Sequence, residues 1–268
     1  MESEGCSVAE KILLWQTDAP YTEYSPGQAQ PALFCYPAQG SRGAMVVCPG
    51  GGYSHKAAHE GEPVARMLQN AGISAYVLDY RVRPCHREAP LADAKRAIRL
   101  LKHMGYERVG ILGFSAGGHL CCSAATLYDE GKKDSGDPVE RCSSRPDVFC
   151  PCYAVVSFGK YTHMGSRECL LGEEKDNESL ICRFSAELNI TQDTPPAFIW
   201  HTAEDQAVPV QNSLQLAAAL KEKNVLFEMH IYPQGRHGLG LALDHPQARS
   251  WSGEMCRFLT EMHFGRED

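Results

Sequence analysis

Nowhere in its 268 residues does this chain approach the roughly 18 consecutive apolar residues that a membrane-spanning helix needs, so none is expected. Positive charge is also in short supply. Lys and Arg number 26 against 33 Asp and Glu, a net charge of −7, and no basic run is longer than Lys132-Lys133. Nucleic acid and anionic membrane surfaces are therefore not expected partners. The N-terminus, Met1 to Cys6, is acidic and has no apolar core, which speaks against a secretory signal. Internal repeats are absent. Cysteine, by contrast, is plentiful. Twelve cysteines without such a signal point to reduced thiols in a cytoplasmic protein. They do not follow a metal-ligand spacing. The one tight pair outside a helix, Cys150 and Cys152, would need two further ligands, with Cys142, Cys169 and Cys182 as candidates, and no metal site is assigned. The cysteine-rich stretch 142–152 receives no role.

A chain of this length is expected to form a single domain, 1–268. Short apolar runs at 12–15, 32–37, 44–48, 74–80, 109–112, 148–158, 196–202 and 227–232 read as strands. Between them, 63–70 is amphipathic and closes at Gly72, and 91–104 places apolar residues at 91, 94, 97, 98 and 101, a helical spacing. Strands alternating with helices predict an α/β fold: a mostly parallel sheet of about eight strands with helices on both faces. Residues 1–30, rich in proline and tyrosine, read as an N-terminal arm. Residues 159–195 break the rhythm and read as a small helical lid, in which Glu173 to Asp176 would form a solvated face.

One motif carries most of the chemistry. Gly113-Phe114-Ser115-Ala116-Gly117 follows an apolar strand and precedes a small-residue helix. In that setting Gly-x-Ser-x-Gly is a nucleophile elbow, in which a sharp turn exposes the serine hydroxyl and the helix N-terminus faces developing negative charge. A serine hydroxyl needs a base, and the base needs an orienting carboxylate. In the chain order expected for such an elbow, Asp205 follows the 196–202 strand as the carboxylate, with Glu204 as its alternative. His237, between glycines after the last strand, is the general base. His201 and His230 read as structural, His263 as a surface residue of the C-terminal helix, and His119 as a support beneath the serine. The amide of Ala116 and those of Gly51 and Gly52, in the glycine run after residues 44–48, supply the oxyanion donors. A phosphate loop fits this run poorly, since no Lys-Ser/Thr follows. Tyr53 and His55 stand where they could meet substrate. Glu60 is read as a hydrogen-bonded brace for the glycine loop. Arg81 and Arg83 are read as surface ion pairs or as contacts to a polar substrate.

The motifs Pro49 to Tyr53, His59 to Ala65, Tyr80 to Val82, Pro90 to Arg99 and Gly113 to Leu120 stand in an order that resembles the α/β-hydrolase fold. Within it, the chain is similar to small bacterial esterases grouped as acetyl-xylan-esterase-like, feruloyl-esterase-like (BD-FAE) or "sugar hydrolase" proteins, and more distantly to the hormone-sensitive-lipase branch. That branch has His where Pro49 stands here. The likeness runs from about 32 to 259. It implies Ser115, Asp205 and His237 as a triad, with Gly51, Gly52 and Ala116 around the oxyanion. It also implies a serine carboxylesterase for short acyl esters of sugars or xylo-oligosaccharides, working through an acyl-enzyme and needing no metal or organic cofactor. Two other readings stay open. One is a peptidase or amidase resembling the prolyl-oligopeptidase group, which usually carries a propeller absent here. The other is a ligand-binding protein that keeps the fold without turnover. Acyl length, the alcohol moiety and the oligomeric state, a homodimer included, are not fixed by the residues.

Overall fold

Apolar runs whose residues are buried on both sides can only lie inside a sheet covered on both faces, and β3 and β5 below are of this kind. The computed structural model describes residues 9–265. The expected signal-free N-terminus and the first part of the arm fall outside these residues. In chain order the strands are β1 (Lys11–Leu13), β2 (Ala32–Tyr36), β3 (Gly43–Cys48), β4 (Ser74–Asp79), β5 (Arg108–Phe114), β6 (Val148–Cys152), β7 (Ala197–Thr202) and β8 (Phe227–Tyr232). They form one sheet in the order β1-β2-β4-β3-β5-β6-β7-β8. Only the pairings of β2 with β1 and β4 are antiparallel; every other pair is parallel.

The helices are α1 (Glu62–Asn70), α2 (Ala89–His103), α3 (Ser115–Thr126), α4 (Met164–Leu171), α5 (Glu178–Arg183), α6 (Gln211–Glu222) and α7 (Trp251–Glu261). Leu91, Ala97 and Leu101 of α2, Leu120 of α3 and Leu216 of α6 share one apolar core with one sheet face. Val64 and Leu68 of α1 and Trp251 and Met255 of α7 share a second core with the other face. The architecture is therefore the expected α/β sandwich. No helix among the described residues is long and apolar enough to cross a membrane.

Two expectations need adjustment. Strand β6 stops at Cys152 and does not run to 158. Tyr153 takes a left-handed φ of 34°, and the chain then leaves the sheet while staying buried. The Val156 and Ser157 amides find their acceptor in Asn212 Oδ1, at 2.9 and 3.0 Å. Arg81 is not a surface residue or a substrate contact. It is buried and bonded to buried Asp93, whose carboxyl burial raises to about 6 against the pull of the guanidinium; Arg83 is exposed. The described part of the arm packs on its own domain. Gln28 donates to the Val82 and Pro84 carbonyls, and Arg96 donates to the Leu14 carbonyl. Glu173, Glu174 and Asp176 are exposed, as the expected solvated face requires, and the face carries ion pairs of Glu174 with Arg87, Lys175 with Glu168 and Asp176 with Arg167.

Within 159–195 the chain forms α4, α5 and two short 3-10 turns, Gly172–Glu174 and Ala186–Leu188. Arg183 of α5 makes two bonds of 3.1 Å to Glu88, tying the segment to the loop before α2. The described cysteines are all free, and Cys48, Cys121, Cys122, Cys150 and Cys152 are buried. Burial pushes the thiols of these five well above their ordinary value. That leaves them protonated and poor ligands or nucleophiles.

Candidate active site

At the C-terminal end of β5 the chain reverses directly into α3 through Ser115, a non-glycine residue with φ of 52°. L-residues adopt that conformation only when their surroundings impose it. The surroundings are tight. A Cβ on Gly117 would sit 2.1 Å from the Cys48 carbonyl oxygen, so only glycine fits where α3 passes the end of β3. The result is a serine at the head of a helix, with its hydroxyl turned out of the sheet.

The three residues expected to work together are brought together. His237 Nε2 lies 2.8 Å from Ser115 Oγ, and His237 Nδ1 lies 2.6 Å from Asp205 Oδ2. Asp205 is fixed from its other side, since Oδ1 accepts the Ala207 and Val208 amides, both at 2.9 Å. Burial alone would raise this carboxyl. The hydrogen bonds from His201, His237 and Val208 outweigh it and hold the carboxyl well below the ordinary range. It is thus a carboxylate at neutral pH, and the proton between Asp205 and His237 resides on Nδ1. That leaves Nε2 as the acceptor facing the serine. Glu204, the alternative acid, instead accepts the Gly235 amide at 2.9 Å and supports the histidine loop.

Ser115 and His237 open into a cleft of about 380 Å³ that is also lined by Gly51, Gly52, His55, His59 and, from the start of α4, His163. A larger cleft of about 580 Å³ behind the histidine loop includes Glu204, Gly235 and Leu243 but none of the three central residues. His55 is therefore placed as expected. Tyr53 is not: it is 2% exposed, and its hydroxyl lies 2.8 Å from His119 Nδ1, inside the core. Its left-handed φ of 59° turns the ring inward beneath the glycine loop. His163, which no motif marked, reaches the cleft because it caps α4, accepting the Ser166 amide at 3.2 Å. Burial lowers the basicity of His163, and neighbouring His237 lowers it further.

The glycine loop and the histidine loop share one buried brace. Glu60, 2% exposed, accepts the Gly50 amide at 2.7 Å and the Tyr153 hydroxyl at 2.6 Å. The Tyr153 oxygen in turn accepts the Gly240 amide at 2.9 Å, and the Tyr153 ring meets the His237 ring edge-on at 5.1 Å. Gly51, with φ of 127°, is held where a Cβ would fall 2.3 Å from the His55 carbonyl oxygen.

Beneath the serine, His119 is fully buried and stacks on Phe158 at 4.3 Å. Nε2 lies 2.7 Å from the Phe184 carbonyl, which can only accept, so Nε2 carries the proton and Nδ1 receives the Tyr53 hydroxyl. Burial pushes its pKa down to about 4, against the raising effect of the Phe184 bond, from an ordinary 6.5. Between those values the unfolded chain binds the proton and the folded chain does not. Stability is thus complete above about pH 6.5 and falls as the pH drops toward 4, by about 3 kcal/mol at full extent. Thermal melts across that window are expected to show a shallower decline for His119→Gln than for the wild type. Equal slopes would remove His119 as the cause.

The BD-FAE family model matches residues 35–220, more than half of the chain and inclusive of the glycine loop, the elbow and Asp205. The chain is 39% identical over 253 residues to endo-1,4-beta-xylanase B of Butyrivibrio fibrisolvens, covering 90% of this chain and 39% of that protein. It is 33% identical over 226 residues to an acetylxylan esterase of Xylanibacter ruminicola, covering 80% of this chain and 44% of that one. The chain thus spans less than half the length of either relative. Among solved structures, an acetyl ester-xyloside bifunctional hydrolase of Caldicellulosiruptor lactoaceticus superposes with a TM-score of 0.91 at 43% identity, covering 96% of this chain and 98% of that one.

Proposed function

The chain belongs to the BD-FAE family, and from that premise we propose that it is a serine carboxylesterase that removes short acyl groups, acetyl foremost, from the hydroxyls of sugars or xylo-oligosaccharides. The observation that carries the proposal is the unbroken hydrogen-bond chain Ser115–His237–Asp205 opening into a cleft. In the first half-reaction Ser115 Oγ attacks the ester carbonyl carbon while its proton passes to His237 Nε2. Asp205 stabilises the imidazolium that forms. The carbonyl oxygen becomes an anion, received by the Ala116 amide at the head of α3 and by the amides of Gly51 and Gly52. Collapse breaks the bond to the alcohol oxygen, which takes the proton from His237. Water then repeats the sequence on the acyl-serine and releases the acid. Each step is proton transfer and acyl transfer, so the residues of the chain suffice.

The cleft rim favours a hydroxylated alcohol. His55, His59 and His163 offer ring nitrogens able to donate or accept, and the relatives with known names act on acetylated or xylose-based substrates by those names. Hydrolysis of p-nitrophenyl acetate, butyrate and octanoate should be compared with acetate release from acetylated xylo-oligosaccharide. Serine-dependent acetate release from the oligosaccharide, with turnover declining toward octanoate, is the expected result. Activity confined to the aryl esters would remove the carbohydrate assignment and leave the esterase.

The two glycine amides make unequal demands. Gly51→Ala drives a Cβ into the His55 backbone, whereas a Cβ on Gly52, at φ 64°, would meet only Ser54 Oγ at an ordinary 4.0 Å. Losing an oxyanion donor costs about 10²- to 10³-fold in kcat. Gly51→Ala is expected to fall in that range. Gly52→Ala bears only the left-handed strain of about 1–2 kcal/mol, appearing in the melting temperature more than in kcat. Steady-state kinetics with paired thermal melts separate the two; equal kcat losses would contradict the loop geometry.

A further inference from the structure

The carboxylate that orients His237 has a second imidazole against it. His201, at the end of β7, is fully buried, and its Nε2 lies 3.3 Å from Asp205 Oδ2, the same oxygen that receives His237 Nδ1 at 2.6 Å. The His201 ring is fixed at both nitrogens. Nδ1 lies 2.8 Å from Ser213 Oγ on α6, and Nε2 lies 3.0 Å from the Val208 carbonyl. A carbonyl only accepts, so Nε2 bears the hydrogen, Nδ1 accepts from the Ser213 hydroxyl, and the single Nε2–H is shared between Val208 O and Asp205 Oδ2. With the Ala207 and Val208 amides on Oδ1, the Asp205 carboxylate is held at both oxygens, and its rotation about Cβ–Cγ is closed off.

We infer that His201 is a positioning residue of the catalytic machinery, one that aims Asp205 at His237 and takes a share of the charge on Oδ2. A purely structural histidine would need only its bonds to Val208 and Ser213. The contact with the working oxygen adds a consequence for the base. The charged or titratable groups around this centre are Asp205, His237 and His201 together with His163 from α4; Glu204 turns its carboxylate to the Gly235 amide. Removing the His201 donor leaves the whole Oδ2 charge to His237. The imidazolium form of His237 is then favoured, and the acidic limb of kcat/KM moves to higher pH. At the same time a carboxylate with one donor fewer on Oδ2 is held less firmly against His237, and misplacement of a catalytic group by about 1 Å can cost on the order of 10²-fold in rate.

The inference rests on the esterase reading, and the experiment keeps the two apart. Hydrolysis of p-nitrophenyl acetate is measured against pH for wild type, His201→Phe, His201→Gln, Ser213→Ala and, as the reference for the reading itself, Ser115→Ala. His201→Phe is expected to lose roughly tenfold or more in kcat with KM within about twofold, and its acidic limb should shift upward. His201→Gln, whose amide N–H can reach the same oxygen, should recover most of the loss and the wild-type limb. Ser213→Ala, which frees the ring without emptying the site, should move the limb in the same direction by less, and it carries the test if His201→Phe does not fold. A folded His201→Phe, or in its absence Ser213→Ala, with an unmoved limb and unchanged kcat would overturn the positioning role while Ser115→Ala remains inactive. Full activity of Ser115→Ala would instead overturn the reading beneath it.

Discussion

Replacing Ser115 with alanine is expected to lower kcat for p-nitrophenyl acetate by about 10⁶-fold, leaving the fold intact. The hydroxyl lies 2.8 Å from His237 Nε2 and faces the cleft, so its loss removes the oxygen that would carry the acyl group. Residual turnover of about 10³- to 10⁴-fold over water should persist, because the amides at the head of α3 and in the glycine loop still polarise a bound carbonyl. The substitution also relieves nothing essential to stability. Ala at φ 52° bears the same backbone strain as Ser, and α3 keeps its packing against β5 and β6. A melting temperature within a few degrees of wild type, combined with loss of turnover, separates lost chemistry from lost structure. Kinetics on the purified variant that came within tenfold of wild type would sink the account.

Asp205→Asn is the second large effect, expected at about 10⁴-fold. Its cause can be followed atom by atom. The Ala207 and Val208 amides require an acceptor on one side of the side chain, so the asparagine carbonyl must turn there. Its NH₂ then faces His237 Nδ1 and His201 Nε2. The NH₂ opposes the His201 Nε2–H, donor against donor, and His237 Nδ1 is obliged to accept. The proton of His237 moves to Nε2, the atom that must take the proton from Ser115, and the base is silenced in its neutral form. Raising the pH does not restore it. Glu204→Gln is the contrast, since that carboxylate only receives the Gly235 amide, a bond an amide oxygen can keep; its kcat should stay within tenfold. Comparable losses in the two variants, read from kcat/KM between pH 6 and 9, would reassign the acid.

The elbow and the meeting of Ser115, Asp205 and His237 were legible because each segment is announced by local rules. A sharp strand-to-helix turn demands small neighbours around Ser115. A parallel sheet ends its strands at one edge, so the loops that follow β5, β7 and β8 meet there whatever lies between them. The alternation of buried runs with amphipathic helices likewise determines an α/β sheet. What escaped was decided by long-range packing. His201 and His230 lie in neighbouring strands, β7 and β8, but one register position apart: His201 pairs with Ile231 and His230 with Trp200, so the two side chains leave opposite faces of the sheet. Only the approach of the 205–208 turn sets His201 against the acid, while His230 faces Glu228. Tyr53 follows the glycine loop as a substrate contact would, yet the left-handed turn there sends it to His119. Arg81 and Asp93 are twelve residues apart, with nothing between them to indicate that both are buried. Val148 to Phe158 is apolar but for Ser157 because it is buried throughout, and burial does not distinguish a strand from the loop held under α3 and α6. Each of these depends on which segments meet, a property that periodicity does not encode.

The central claim is that Ser115 is a nucleophile activated by His237. Labelling the intact protein with a fluorophosphonate and locating the adduct by peptide mass spectrometry tests it most directly. One equivalent of label on Ser115 in the wild type, in step with loss of esterase activity, and very slow labelling of His237→Ala are the predicted results. An adduct on another residue that abolishes activity, or full labelling of Ser115 at an unchanged rate without His237, would contradict it.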